Sequence, residues 1–377
     1  MKKQNVLQVN KLYYPFTGGV ERVVQELAEG LKDRVNMRVL VCSEDRTDKT
    51  ETIGGVKVHR SGSFFMLGNL PLSVKFIRDF RRVSKNYDII QFHMPFPIGD
   101  LAELLSGYQG KVVVWWHSDV VRQKKMMLLY KPIMERFLKR ADVIITATQG
   151  HIDGSAYLKP YAGKCRVIPY GVDPELEKRA DAWLAQRPLK TFPQNEKRPV
   201  RFLFVGRLIY YKGCKVLLEA FRRVKSAELT LVGDGVMTDE LKAMAESFHL
   251  TDRVHFLGAA EKEELYRQFE DCDVFVLPSI ARSEAFGLVQ IEAMSYAKPV
   301  INTNLKSGVP YVSVHGKTGL TVEPENVQEL ADAMNWMVKH PKEREEMGAR
   351  AKQRVKEEYQ ITGMLEKTLG VYRELGR

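Results

Sequence analysis

The chain has 377 residues, of which 44% are apolar and 28% charged, and a formal net charge of +11. That length is more than one core usually organises and predicts two domains, and the composition is that of a globular protein in water. No run approaches the roughly 20 uninterrupted apolar residues of a membrane span, and the opening MKKQNVLQVNKLYYP lacks the apolar region of a secretion signal, so a cytoplasmic location is expected.

Cys42, Cys165, Cys214 and Cys272 are far apart and show no metal or redox spacing, as expected of reduced thiols packed as small apolar groups. The charge is uneven: residues 1–190 hold 31 Lys and Arg against 20 Asp and Glu, whereas residues 191–377 hold 27 of each. An excess confined to the first half suggests an anionic partner there, whether a membrane surface, a pyrophosphate-linked acceptor or nucleic acid; plain solubility explains it equally well.

Asn5 to Val9 predicts a short strand, and after Gly18-Gly19 the residues Val20, Val23, Val24, Leu27 and Leu31 recur with helical period. Strand, glycine turn and helix is the layout of a phosphate site, because glycine allows close backbone approach and positive φ; a tight turn reads the same way. Val39 to Cys42, Val56 to His59, Ile89 to Phe92 and Val112 to Trp116 follow as strands between helical segments, which predicts a largely parallel sheet covered on both faces. Between them Lys75, Arg78, Arg81, Arg82 and Lys85 alternate with Phe76, Ile77, Phe80 and Val83. This basic amphipathic helix suits either an anionic membrane or a solvated face over a buried one.

His93 follows one predicted strand and His117-Ser118-Asp119 another, so both histidines are expected at the carboxyl edge of the sheet, where α/β proteins bind ligands. Arg122, Lys124 and Lys125 open an apolar helix, Val143 to Thr146 and Arg166 to Ile168 complete the sheet, and Pro169 to Asp173 makes a turn. QRPLKTFPQNEKRP, residues 186–199, has prolines, charges and no apolar period, and reads as a linker.

Arg201 to Val205 opens a second run of strands. Gly206-Arg207 stands at its end, and Lys212-Gly213 precedes the helical positions Val216, Leu217, Ala220 and Phe221. Two cations at a strand end can stabilise the charge of a departing diphosphate where no metal is present. Leu229 to Val232 and Val254 to Leu257 are further strands, and Asp271-Cys272-Asp273 has the Asp-x-Asp form of metal-dependent transferases but lies before a strand, at the wrong edge. That strand is Val274 to Leu277. A loop containing Glu284 follows it, and Leu288, Ile291 and Met294 predict a helix from about Phe286-Gly287, with Glu292 inside. Carboxylates beside a diphosphate would be repelled by it, so the natural partners of Glu284 and Glu292 are hydroxyls, in which sugars are rich. Val300 to Asn302 continues the sheet, Lys306 to Pro310 and His315 to Leu320 are loops, and the chain is helical from Val327 on.

Glu284, Phe286, Gly287, Leu288 and Glu292 together match the signature of the retaining GT-B glycosyltransferases of family 4, and the chain resembles that family along nearly its whole length, most closely its bacterial polysaccharide mannosyltransferase-like members. The resemblance implies two Rossmann-like doubly wound domains facing across a cleft: residues 1–190 on the acceptor side, with a crossover helix at 360–377 returning to it, and residues 191–359 binding a nucleotide sugar. It implies that Glu284 holds the donor hexose, that Phe286, Gly287 and Leu288 meet the sugar edge and phosphate, and that Glu292 holds the ribose. Arg207 and Lys212, beside Gly206, grip the two phosphates, while Gly18 and Gly19 face the donor phosphate and acceptor and His117 approaches the sugar. Tyr311 departs from the glutamate common in the family after the preceding proline.

The implied reaction moves a hexose, mannose favoured, from GDP-mannose or a UDP-sugar to a hydroxyl of a lipid-linked or polysaccharide acceptor, with retention, without a metal or other cofactor and without nucleic acid. Contact of the first half with the inner face of the cytoplasmic membrane is part of that picture. The alternatives are another family 4 donor such as glucose, GlcNAc or rhamnose, a GT-B sugar-nucleotide epimerase, a glycosidase working with two carboxylates, or a nucleic-acid-binding protein using the basic half.

Overall fold

The computed structural model describes residues 3–16, 18–67, 70–120, 124–186 and 198–376. Arg122, the side chains of Lys124 and Lys125, and residues 187–197 of the expected linker lie outside the described residues. The chain divides into two compact units, Met1–Tyr170 with Thr362–Arg377, and Gly171–Ile361.

The first unit runs β1 (Asn5–Val9), α1 (Gly19–Leu31), β2 (Asn36–Cys42), β3 (Lys49–Ile53), β4 (Val56–Ser61), β5 (Phe65–Leu67), β6 (Leu70–Leu72), α2 (Val74–Val83), β7 (Ile89–Met94), α3 (Pro97–Ser106), β8 (Lys111–Trp116), α4 (Lys124–Arg140), β9 (Val143–Thr146), α5 (Gln149–Gly154) and β10 (Cys165–Val167). Its eight-stranded sheet has the order β10-β9-β8-β7-β1-β2-β4-β3, parallel except for the β3–β4 edge. Every residue of β7 is buried, as expected of a parallel strand covered on both faces. One face packs Phe92 against Phe137 of α4, with ring centroids 5.0 Å apart, and Phe76 of α2 against Phe96 at 5.2 Å.

That packing decides between the two readings of α2. Phe76 and Phe80 are fully buried in the core of the sheet, and exposing either to water would cost about 2–3 kcal/mol. The apolar face of α2 belongs to the protein, and only its basic face is presented outward.

The second unit runs α6 (Pro174–Gln186), β11 (Val200–Val205), α7 (Cys214–Phe221), β12 (Ala227–Val232), α8 (Thr238–Ser247), β13 (Val254–Gly258), α9 (Lys262–Asp271), β14 (Val274–Leu277), α10 (Leu288–Ser295), β15 (Val300–Thr303), α11 (Val309–Val312), β16 (Gly319–Val322), α12 (Val327–Lys339) and α13 (Pro341–Glu358). A further helix, α14 (Ile361–Leu375), follows, and from Thr362 it groups with the first unit. The six strands are all parallel, in the order β13-β12-β11-β14-β15-β16. The order reverses between β11 and β14, so the carboxyl ends of these two adjacent strands form the switch point beside whose crevice open α/β sheets bind ligands. In the first sheet the same reversal falls between β1 and β7.

The expected domain boundary at residue 190 is displaced. Helix α6 belongs to the second unit: Arg179 pairs with Glu263 and, at 2.8 Å, with Glu270 of α9, and Lys352 of α13 reaches Asp181 at 2.8 Å. The second unit begins and ends at neighbouring points, since Val172 N–H donates to the Tyr359 carbonyl at 2.8 Å and a Cβ on Gly171 would fall 2.4 Å from Ile361 Cα.

Candidate active site

The loop after β11 and the loop after β14 are laced together before any side chain is considered. Gly213, with φ +73°, ends a short turn over Tyr210–Lys212 and starts α7; a Cβ there would stand 2.0 Å from the Pro278 carbonyl oxygen. Beside it Ile280 N–H donates to the Tyr211 carbonyl at 2.8 Å. Only glycine satisfies both the left-handed backbone and the close approach.

This lacing sets Lys212 Nζ 2.5 Å from Glu284 Oε2, with the two side chains 12% and 10% exposed. Burial draws the Lys212 ammonium downward, but the charge and hydrogen bond of Glu284, with Tyr211 and Cys214 adding to them, hold its pKa above the ordinary lysine value. Ser279 Oγ donates to the same carboxylate oxygen at 3.2 Å, and Thr303 Oγ1 donates to the Ser279 carbonyl at 2.6 Å. Gly206 lies beneath the lysine, so that a Cβ there would come within 3.4 Å of Lys212 Cε. Arg207 stands exposed next to it at the same strand end.

The turn from Glu284 into α10 is fixed from below. Gly287 takes φ +73° at the helix start, and Phe286 is buried with its ring edge-on to Tyr359 at 6.0 Å. Gln290 donates to the Phe286 carbonyl at 2.8 Å and accepts from Asn302 at 2.9 Å, while Thr321 donates to Asn302 at 2.8 Å. Leu288 is the first residue of α10 and Glu292 lies one turn on, both half-buried. Neither α7 nor α10 carries an acidic residue in its first turn, so the positive ends of both helices are available to an anion at this crevice.

In the first unit Gly18 precedes α1 with φ −102°, an ordinary extended value, so positive φ is not what requires glycine there. A Cβ there would fall 2.0 Å from Oε2 of Glu21, the movable end of a side chain that folds back over the helix start and sits 3.8 Å from Lys11 Nζ, so close approach does not require glycine either. Gly19 is the first residue of α1. His93 does not follow its strand; it is the fifth residue of β7, 1% exposed. His117 does follow β8, but its ring is turned inward and 4% exposed, with Nε2 2.8 Å from His93 Nδ1 and Nδ1 2.7 Å from the Tyr170 hydroxyl. Burial pushes His93 down to about 3 and His117 well below the usual histidine range, so both rings are neutral at pH 7.

The structure therefore gathers Gly206, Lys212, Glu284 and the 286–288 turn at the switch point of the second unit, and places Gly18, Gly19 and His117 in the first. Ser279, Gln290, Asn302 and Thr303 were not anticipated. A signal for two of them exists: Gln290 and Asn302 interrupt the apolar runs Val289-Gln290-Ile291 and Val300-Ile301-Asn302, and a polar residue at a core position marks a buried hydrogen-bond network. Asp273 is taken by Arg198, at 2.7 and 2.8 Å, and by the Arg201 amide. Among the described residues no group of three or more His, Cys, Asp or Glu could share a metal ion. Tyr311 is an exposed residue of α11 whose carbonyl accepts from Arg354 at 3.0 Å.

Two doubly wound parallel sheets, the second with its cation–carboxylate pair at the switch point, are the build of a GT-B glycosyltransferase. Solved structures of that fold cover nearly the whole chain: sucrose-phosphate synthase from Thermosynechococcus elongatus covers 99% of both chains with TM-score 0.79 at 21% identity, and Anabaena HepE in complex with UDP covers 99% of this chain and 100% of its own with TM-score 0.73 at 19% identity. The family model described as glycosyl transferases group 1 matches residues 186–354, and that of glycosyltransferase family 4 matches residues 17–176. The D-rhamnosyltransferase WbpZ of Pseudomonas aeruginosa is 34% identical over 93% of this chain and 91% of its own, and the O-antigen chain mannosyltransferase C of Escherichia coli 32% over 98% of each. The chain belongs to glycosyltransferase family 4.

Proposed function

We propose that the enzyme transfers mannose from a nucleoside diphosphate sugar to a hydroxyl of a lipid-linked or polysaccharide acceptor, with retention at the anomeric carbon and without a metal. The observation that carries the reading is the Lys212–Glu284 pair. A diphosphate arriving between the starts of α7 and α10 meets Lys212 and the exposed Arg207, which stabilise the charge that grows on the leaving group. Glu284 and Glu292 accept hydrogen bonds from donor hydroxyls, and Phe286, Gly287 and Leu288 shape the sugar edge. In the same reading Gly18 and Gly19 bring backbone close to the phosphate and acceptor, and His117, its ring turned inward, acts from behind the end of β8.

The relatives favour a second donor as well. One is named for D-rhamnose and one for mannose, and the two sugars differ only in whether C6 carries a hydroxyl. Neither GDP nor UDP is preferred by any residue named above. Purified protein titrated with GDP-mannose, GDP-D-rhamnose and UDP-hexoses, with slow release of the nucleoside diphosphate followed in the absence and presence of acceptor, fixes the donor. One tight binder, weakened by Lys212→Ala, is expected. Equal binding to wild type and to that variant, or donor epimerised without acceptor, would overturn the reading.

Contact with an anionic membrane, on the cytoplasmic side, is supported by the basic face of α2 together with apolar side chains that precede it. Phe64, Phe65 and Val74 are 58%, 59% and 67% exposed around the short β5–β6 pairing. Arg78, Arg81 and Arg82 on the outward face of α2 follow directly. Apolar side chains beside basic ones suit an interface that offers both acyl chains and phosphate head groups. No helix among the described residues is long and apolar enough to cross a membrane.

A further inference from the structure

Strand pairing assembles a polar layer inside the first unit. Residue Gln8 of β1 lies opposite Gln91 of β7, and His93 lies opposite Trp115 of β8. Since side chains alternate, Gln8, Gln91, His93 and Trp115 share one face of the sheet, and His117, two past Trp115, continues it. The opposite face of these strands faces an apolar core, with Leu7, Val9, Phe92 and Val114 among its residues. Rings of His93, Trp115 and His117 lie nearly parallel, with centroids 5.1–6.1 Å apart.

The polar atoms of this layer form one continuous chain. Tyr372 of α14 donates its hydroxyl to Gln91 Oε1 at 2.7 Å and accepts from Gln8 Nε2 at 2.9 Å. Gln8 Oε1 is 2.7 Å from His93 Nε2, His93 Nδ1 is 2.8 Å from His117 Nε2, and His117 Nδ1 is 2.7 Å from the Tyr170 hydroxyl. Gln91 Nε2, which only donates, lies farther from the same ring nitrogen at 3.4 Å, and a carbonyl oxygen only accepts, so the shorter contact to Gln8 places the hydrogen of His93 on Nε2. In a neutral ring its Nδ1 is then a lone pair, so His117 must donate from Nε2 and accept at Nδ1 from Tyr170. Each orientation dictates the next, and one break releases all of them.

We propose that Gln8 and His93 are positioning residues that hold His117 in a single neutral tautomer, and that Tyr372 makes this setting depend on the seating of α14. The chain starts at Tyr170, the last residue of the first unit before the chain passes into the second, and ends on the helix by which it returns. Both connections are thereby anchored to the residue that follows β8. His117 acts through a fixed ring rather than by releasing a proton, because both of its nitrogens are engaged. His151 and Lys11 are the other titratable groups that bear on it, and both oppose its protonation. The link to catalysis rests on the placement of His117 in the transfer site; the tautomer does not.

The test combines two readouts on the full chain. In protein labelled with 15N-histidine, the rings of His93 and His117 are expected to stay neutral, with hydrogen on Nε2, from about pH 5 to 8, where free imidazole titrates. A titrating His117, or one protonated on Nδ1, would overturn the chain. Tyr372→Phe keeps the ring but deletes the hydroxyl; it should mix the tautomers, speed amide exchange in α14, and lower kcat about tenfold with donor KM changed less than about twofold, as expected for misplacement rather than lost binding. Unchanged tautomers in that variant would overturn the tie to α14. His93→Asn, whose Oδ1 falls where Nδ1 stood, should retain several-fold more activity than His93→Leu, and equal activities would reduce His93 to packing. With the tautomers as expected but His117→Leu fully active, the placement of His117 in the site would fail and the catalytic half of the proposal with it.

Discussion

Gly213 touches Pro278: the α-carbon of one and the carbonyl of the other leave no room for a methyl group, and this contact brings the loop bearing Lys212 against the loop bearing Glu284. Gly213→Ala therefore strains a left-handed backbone position and drives the loops apart. A stability loss of about 1–3 kcal/mol is expected, with donor affinity falling more than tenfold because a shift of about 1 Å at a reacting site has effects of that order or more. Denaturant melts and donor titration check both; an alanine variant with unchanged donor affinity would detach this contact from the site.

Lys212 and Glu284 are each buried enough that neither tolerates the loss of the other. Lys212→Met or Glu284→Leu alone should reduce transfer at least about 100-fold and cost about 3 kcal/mol, since an uncompensated charge is left behind. The double change Lys212→Met with Glu284→Leu should recover most of that stability and none of the activity. With the lysine held above 10.5 by its partner, the pair's contribution is complete below that value and fades only as pH rises through the raised one. Urea unfolding of the four proteins gives the coupling, and additive losses would show that the pair is not coupled.

Acid should loosen the first unit before the second. Folding keeps His93 and His151 neutral, pushing them from 6.5 down to about 3 and about 4; His117 moves the same way. A depressed histidine contributes stability that is present above about 6.5 and lost as pH falls toward the folded value, roughly 2 kcal/mol per residue by pH 5. Amide exchange followed by mass spectrometry should show protection lost first in β1, β7, β8 and α14 between pH 6.5 and 4.5. Uniform loss across both units would refute the assignment.

Binding to vesicles should follow the exposed aromatics. Sedimentation with vesicles rich in anionic lipid is expected for the wild type and reduced more than about fivefold by Phe64→Ser with Phe65→Ser, each buried aromatic being worth a few kcal/mol in part. Arg81→Glu with Arg82→Glu should weaken binding chiefly at low salt. Equal partition onto neutral and anionic vesicles would remove the basic face of α2 from the account.

Much of the fold was legible because buried parallel strands announce themselves. Val274 to Leu277 was located to the residue, since all four side chains are buried and polar groups bound the run. The β3 strand escaped because KTETI is polar and exposed, although the Gly54-Gly55 pair that joins it to β4, with φ +56° and +84°, is a hairpin signal. Strand order is not written along the chain, so that β11 and β14 are neighbours, and that Lys212 faces Glu284 across them, could be had only from the family resemblance. The boundary at residue 190 was misplaced because α6 looks like any amphipathic helix; its partners Glu263, Glu270 and Lys352 lie far away in sequence. His93 was set at a strand end because its strand runs two residues further than its apolar run.

The adjacency of Gly171 and Ile361 makes the second unit, topologically, an insert with its two ends side by side. Genetic exchange at just those two neighbouring positions would replace the whole second unit without severing a strand of the first sheet. Under the function proposed above, such an exchange would change the sugar spent and keep the molecule decorated, and a chimera spliced at 170/171 and 361/362 is the direct laboratory counterpart.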